Sequence, residues 1–291
     1  LHVFKVQKMN RRTLIALAVA GALVLGGCSE STQPQKNTAQ SSGQNLDTME
    51  KTTLTVGMEL AYPPFEGKDA SGNPAGVSVD FMLDFGKSIG KEIRIENIAF
   101  DGLIPALVTG KVDMVMSSMT VTDARRETVD FSKPYANAML ALLTKKDDAL
   151  KSVDDLNAEG RTIAAKIGST GHLFAQKHLT KAKVRALADE SACVMEVASG
   201  KADAFIYDQL TIYRNWQRNP DTTNALFIAF QDVEPWGVAV RKGDTKLREA
   251  LDKFIADYRA DGGFERLTEK HLAKEKAAFE KLGFKWFFDV Q

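Results

Sequence analysis

The chain has 291 residues, with 38 basic and 38 acidic side chains, 44% apolar residues and 26% charged ones. Removing residues 1–27 takes away Lys5, Lys8, Arg11 and Arg12 and no acid, leaving 34 bases against 38 acids, a net charge of −4. A mildly acidic surface argues against a nucleic-acid partner, which would leave a basic footprint. The four histidines (His2, His172, His178, His271) form no pair at metal-ligand spacing, so neither a metal nor a cofactor is expected.

From the N-terminus, Asn10-Arg11-Arg12 precedes an Ala/Leu/Val-rich run over 13–25 that ends in Leu25-Gly26-Gly27-Cys28. The run falls short of the about 20 apolar residues that a membrane-spanning helix needs. Positive charge, a short apolar stretch and small residues before a cut describe a secretory signal. A Cys directly after Leu-Gly-Gly looks like a bacterial lipobox, which implies cleavage after residue 27 and acylation of Cys28. Residues 1–8, upstream of Met9, are given no function. The other cysteine, Cys193, lies four residues before Val197 on a helical face and reads as a small buried apolar side chain. With Cys28 acylated, no disulfide forms within the chain.

The next stretch, SESTQPQKNTAQSSGQNLDTME (29–50), is mostly Ser, Thr, Gln and Asn. It buries too little apolar surface to offset its ordering entropy. As a flexible tether it reaches roughly 25 Å, from about 5–6 Å times the square root of its length. Beyond it the pattern alternates strand and helix. LTVGM (54–58) is a short apolar strand, and 78–90 is a helix that Ser78 caps and Gly90 stops. Then IRIENIAF reads as a strand, DGLIPALVTG as a short helix closing on Gly110, and KVDMVMSS as a buried strand. Such alternation predicts mostly parallel sheets with helices on their faces.

One grammar occurs twice. LVTGKVDMVMSS (107–118) and VASGKADAFIYD (197–208) both run helix, Gly, Lys, any residue, Asp, then an apolar strand with a polar end. Gly110 and Gly200 suit the left-handed position after a helix. Ligands of open α/β sheets sit at the carboxyl ends of strands. Ser117-Ser118 would arrive there in one lobe and Asp208 in the other, facing a common ligand.

The segments VGMELAYPPFE (56–66), FDGLIPALVTGKVDMVMSSMTVTDARRETVDFSKPY (100–135), IAAKIGSTG (163–171), GKADAFIYD (200–208) and EPWGVAVRKGD (234–244) together resemble family 3 of the extracellular solute-binding proteins, the amino-acid receptors of ABC importers. The resemblance runs from residue 54 to about 268. Ser78 departs from it, since relatives usually carry an acidic residue there. The resemblance implies an α/β, two-lobed type II periplasmic-binding-protein fold. Each lobe would be a mostly parallel sheet flanked by helices, with the ligand in the cleft between. It also implies an extracytoplasmic location, an ABC permease as partner and contact with the membrane through the lipid anchor. The expected division is a signal over 1–27, an anchor and tether over 28–51, lobe 1 over 52–138 plus 236–291, and lobe 2 over 139–235.

Transferred position by position, the resemblance implies an amino-acid pocket. Arg125 would bind the α-carboxylate through two parallel charge-assisted bonds, while Arg126 stays on the surface. Thr170, in the Gly168-Ser169-Thr170-Gly171 turn before a helix, would be a second clamp on that carboxylate. Asp208 would take the α-ammonium, with the Ser117 carbonyl, the Thr120 hydroxyl and Ser118 nearby. Tyr62 and Phe100 would wall the ligand side chain. Glu59 would meet the far end of that side chain, with Lys166 approaching from the second lobe. A free Glu59 favours Lys, Arg, ornithine or His; a Glu59 neutralised by Lys166 favours a neutral polar ligand such as Gln. The alternative is an enzyme on the same scaffold, resembling periplasmic cyclohexadienyl (prephenate or arogenate) dehydratases, in which Glu59 or Lys166 would serve as general acid. The tail over 269–290, with Phe284-Lys285-Trp286-Phe287-Phe288, is expected to pack back onto lobe 1.

Overall fold

The computed structural model describes residues 47–290, so the expected leader, Cys28 and the expected tether up to residue 46 lie outside the described residues. The chain runs through β1 (Thr53–Met58), the short β2 (Gly67–Lys68) and β3 (Pro74–Ala75), α1 (Val77–Ser88), β4 (Glu92–Asn97), α2 (Leu103–Val108), β5 (Met114–Val115), α3 (Asp123–Thr128), β6 (Val129–Phe131) and β7 (Ala136–Ala138). It continues through β8 (Leu140–Lys145), β9 (Thr162–Lys166), α4 (Thr170–His178), β10 (Lys183–Leu187), α5 (Glu190–Ala198), β11 (Ala204–Asp208), α6 (Gln209–Arg218) and β12 (Thr223–Leu226). It closes with β13 (Glu234–Trp236), β14 (Ala239–Arg241), α7 (Thr245–Ala260), α8 (Gly263–His271) and α9 (Ala273–Leu282).

Two five-stranded sheets result, in the orders β4-β1-β5-β14-β6 and β10-β9-β11-β8-β12. The sheets share one pattern of directions. Three parallel strands come first, and a fourth runs antiparallel to its neighbours on both sides. The chain passes from the first sheet to the second at β7 and returns at β13, and these two strands pair antiparallel, with Glu234 opposite Ala138.

The repeated grammar has a structural cause. Gly110 and Gly200 both sit after a helix at φ +77° and +75°, where a side chain would be strained. The aspartates that follow hold the neighbouring parallel strand: Asp113 accepts from the Thr55 backbone N–H at 2.9 Å and Asp203 from the Thr162 N–H at 2.7 Å. Both aspartates are buried and ion-paired, Asp113 with Lys51 and Asp203 with Lys145. The strand expected over KVDMVMSS is shorter than its apolar run, because pairing ends at Val115 and Ser118 turns the chain at φ +46°.

Two local expectations are corrected. Ser78 does not cap α1: Gly76 is the N-cap, and the Ser78 hydroxyl instead donates to the buried Glu66 carboxylate at 2.5 Å. The folded body also begins before residue 52. Thr48 is buried, its hydroxyl bonds the Asp244 carboxylate and accepts from Arg241 at 2.9 Å, and Lys51 pairs with Asp113. Polar composition concealed this docking, because it rests largely on hydrogen bonds and the Lys51–Asp113 ion pair, with Met49 the apolar side chain packed against the core.

The tail packs where apolar surface demands. Phe279, Trp286, Phe287 and Phe288 are buried in the core that contains Leu54, Val56 and Phe81. Phe287 meets Phe65 at 5.2 Å between centroids, and the Asn137 N–H in β7 donates to its carbonyl at 2.7 Å. The tail also reaches the second sheet's elements, with Phe279 against Tyr213 at 6.3 Å and Phe284 against Phe227 at 4.9 Å. Replacing a fully buried Phe by Ala costs about 3–5 kcal/mol. Phe287→Ala should therefore lose that much stability in urea denaturation, whereas Leu282→Ala, at a site 42% exposed, should stay within about 0.5 kcal/mol of the parent.

Candidate functional site

A cavity lies where the two sheets face each other. It is lined by Glu59, Tyr62, Phe100, Ser117, Ser118, Thr120, Arg125, Thr170 and Asp208, with Leu140, Ser169, Tyr207, Glu234 and Trp236. Topology explains the convergence. Glu59 follows β1, Ser117 follows β5, Lys166 ends β9 and Asp208 ends β11. These are carboxyl ends of parallel strands, where side chains leave the sheet without competing for ladder bonds.

Arg125 is held by its own helix. Thr122 caps α3 by accepting from the Arg125 N–H at 3.2 Å. The guanidinium, 9% exposed, then points inward and lies over the Phe100 ring at 5.5 Å. One terminal nitrogen donates to the Thr120 carbonyl at 2.6 Å and the other to the Gly168 carbonyl at 2.9 Å. A guanidinium carries five N–H groups, so three have no acceptor among the described residues. Burial lowers the Arg125 pKa to about 10, opposed by the Glu234 carboxylate; the side chain stays charged at neutral pH. Arg126, by contrast, is exposed on the same helix.

Across the cavity, Asp208 plays two parts with its two oxygens. Oδ1 caps α6 by accepting from the N–H groups of Leu210 and Thr211 at 2.9 and 3.0 Å. Oδ2 is buried and has no hydrogen-bond partner among the described residues. Burial raises the Asp208 pKa. A buried carboxylate with one oxygen left over is a receptor for a cation. Tyr62 stacks on Phe65 at 5.5 Å and meets Tyr207 and Trp236 edge-on, which fixes its ring as a wall of the cavity.

At the third end, Lys166 does not line the main cavity but stands behind Glu59 and borders a second, polar cavity beside Glu190 and Arg214. Its ammonium, 1% exposed, is ion-paired with the Glu59 carboxylate. It also lies over the Phe100 ring at 5.6 Å. Thr170 opens α4, which Ser169 caps, and its hydroxyl donates to Glu234 at 2.7 Å. Glu234 accepts from the Thr120 hydroxyl as well, at 3.0 Å. Burial raises the Glu234 pKa, opposed by the two threonine hydroxyls, Gln231 and Arg125.

A model of the bacterial extracellular solute-binding proteins, family 3, matches residues 54–274. The chain belongs to this family. It is 30% identical over 223 residues to the L-cystine-binding protein TcyJ of Escherichia coli (strain K12), covering 76% of this chain and 83% of that protein. Among solved structures it is similar to the ancestral amino acid-binding protein AncCDT-1, described as a precursor of cyclohexadienyl dehydratase, with a TM-score of 0.70, 35% identity and coverage of 77% of this chain and 97% of the other. It is also similar to an ancestral arginine-binding protein bound to glutamine, with a TM-score of 0.70, 34% identity and coverage of 76% and 98%. These neighbours share the type II periplasmic-binding-protein fold. The family and its named relatives are solute-binding proteins, not enzymes.

For a family 3 receptor, the residues not foreseen are Glu234, Trp236, Tyr207, Leu140 and Ser169. Glu234 and Trp236 stand inside the EPWGVAVRKGD segment, on the return crossing between sheets, so connectivity was a usable signal for them. Tyr207 precedes Asp208 on the same strand, and alternation alone would send it to the opposite face.

Two expectations follow. Lys166→Met leaves the buried Glu59 charge uncompensated, which typically costs about 3–5 kcal/mol. The double variant Lys166→Met/Glu59→Gln should recover most of that in urea denaturation. Beneath Ser118, the wholly buried Glu66 is raised to about 8 by burial, which outweighs donation from the Ser78 and Ser118 hydroxyls. The native state then keeps a proton that the unfolded chain, near the ordinary carboxyl value of 4.5, gives up. Stability from this group is complete below pH 4.5 and declines as pH rises toward about 8. Glu66→Gln should flatten that slope when unfolding free energy is measured across the range.

Proposed function

We propose that this chain is the substrate-binding lipoprotein of an ABC importer, anchored through Cys28 behind a flexible tether, and that it captures a neutral polar L-amino acid by lobe closure. The observation that carries the reading is the opposition of charges in one cavity. The Arg125 guanidinium keeps N–H groups for a carboxylate, and the unpartnered Asp208 Oδ2 awaits an ammonium. Only a zwitterion satisfies both. Thr170, Thr120, Ser117 and Ser118 supply neutral partners, and Tyr62 with Phe100 walls the side chain.

The Lys166–Glu59 ion pair supports the choice of ligand. With its charge compensated from behind, Glu59 presents an acceptor rather than a net negative field, so an amide or other neutral polar group suits it better than a cation. The solved relative whose description names both arginine binding and bound glutamine fits a scaffold that admits either class. Lobe 1 is assigned to 52–138 plus 236–291 and lobe 2 to 139–235, with β7 and β13 as the hinge; two connecting segments permit closure around a ligand that touches both lobes. The dehydratase alternative draws no support from a carboxylate that is already ion-paired, since such a group is a poor proton donor.

A thermal-shift screen of the 29–291 chain against the twenty L-amino acids, followed by calorimetry, tests the reading. Neutral polar amino acids such as Gln should give the largest shifts; a dominant response to Lys or Arg would overturn the assignment. Arg125→Lys should weaken binding by a factor of roughly 30 to several thousand, from the about 2–5 kcal/mol lost with a desolvated bidentate contact. Arg126→Lys should change little, and Asp208→Asn should weaken every amino acid that binds.

A further inference from the structure

Glu234 stands at the crossing between the sheets, and its surroundings are unusual for an acid. A single carboxylate oxygen accepts from Thr120 at 3.0 Å and from Thr170 at 2.7 Å. Thr120 extends from the first sheet's side and bridges to Trp236 in the hinge strand, whereas Thr170 opens α4 on the second. The other oxygen accepts from Gln231 at 2.5 Å. The side chain is 7% exposed and lines the same cavity as Arg125. The guanidinium and the Thr170 hydroxyl assigned above to the ligand's carboxylate, together with the neighbouring Thr120 hydroxyl, therefore already face a protein carboxylate.

Resting on that assignment, we propose that Glu234 is an internal anion in the carboxylate subsite and a determinant of specificity: it engages the two threonine hydroxyls and opposes the ligand's α-carboxylate for the field of Arg125. Two like charges a few ångströms apart in a buried site repel strongly, and an amide at the same place does not. Glu234 thus narrows the preference for a free α-carboxylate over a neutral α-amide. Its charge sets how tightly the receptor holds the acid, while its hydrogen bonds hold the two threonines in place across the hinge. Gln at this position keeps an acceptor for the hydroxyls and removes the charge.

The test is calorimetric titration of the wild type, Glu234→Gln and Glu234→Ala with four probes: L-glutamine, L-arginine and the α-amide of each. Both variants should bind the acid more tightly relative to its amide, widening the acid-to-amide affinity ratio by about ten- to a hundredfold, as expected for loss of one nearby buried charge. A ratio unchanged in both variants would overturn the proposal and leave Glu234 a structural bridge. A variant that loses affinity for acid and amide equally would have the same effect, and Glu234→Gln guards against a collapse of the threonine contacts. Arg125→Lys separates the two levels. If it lowers acid affinity in the wild type while the Glu234 variants leave the ratio alone, only the Glu234 inference fails. If it changes nothing, or if no protein binds any probe, the carboxylate subsite is wrong and both fail.

Discussion

The pairing of Lys166 with Glu59 is the interaction around which the site is organised. The partners are 107 positions apart and come from the carboxyl ends of strands in different sheets. Each is nearly inaccessible to water, so neither charge is tolerable alone. The pair therefore binds two requirements together: the strand ends must face each other, and the far end of the cavity must be electrically quiet. Phe100 lies within cation–π distance of both this ammonium and the Arg125 guanidinium, 5.6 and 5.5 Å from its ring centroid.

Around that pair the remaining charges are arranged in opposition. Asp208 divides its work between a helix cap and a free acceptor, which lets one residue fix α6 and still face the cavity. A helix-capping role and a ligand-binding role are usually weighed as competitors when a sequence is read. In this fold the cap uses one oxygen and leaves the other facing the cavity. Arg125 likewise joins segments from the two sheets through its bonds to the Thr120 and Gly168 carbonyls while leaving N–H groups over.

Much of this was legible from residue order. The Gly-Lys-x-Asp repeat marked equivalent strands because left-handed glycine and a strand-holding aspartate are local requirements that chain connectivity cannot disguise. Nine of the ten residues expected to meet a ligand line the cavity. Lys166 stands one layer back, because the length of its side chain lets it reach Glu59 from behind, and spacing does not reveal that. Ser78 illustrates the same limit: a helix-start serine reads as a cap until a buried Glu66, twelve positions away, claims its hydroxyl. Glu234 escaped notice because its partners, Thr120 and Thr170, meet it only when both sheets are in place. The docking of Thr48 was hidden for a different reason, since its hydrogen bonds with Asp244 and Arg241 carry no hydrophobic signature.

The placement of the last aromatic residues governs the order in which the protein can be completed. The second sheet takes all its strands from one uninterrupted stretch, β8 to β12, before the tail that packs on Tyr213 and Phe227 is reached. The first sheet opens with β1 and cannot close until β14 has been added, and its core is not filled until Phe287 arrives four residues from the end. A chain emerging N-terminus first thus carries an unfinished core until this aromatic segment has been made, and filling that core depends on contacts between residues far apart in sequence, a closure that is slow.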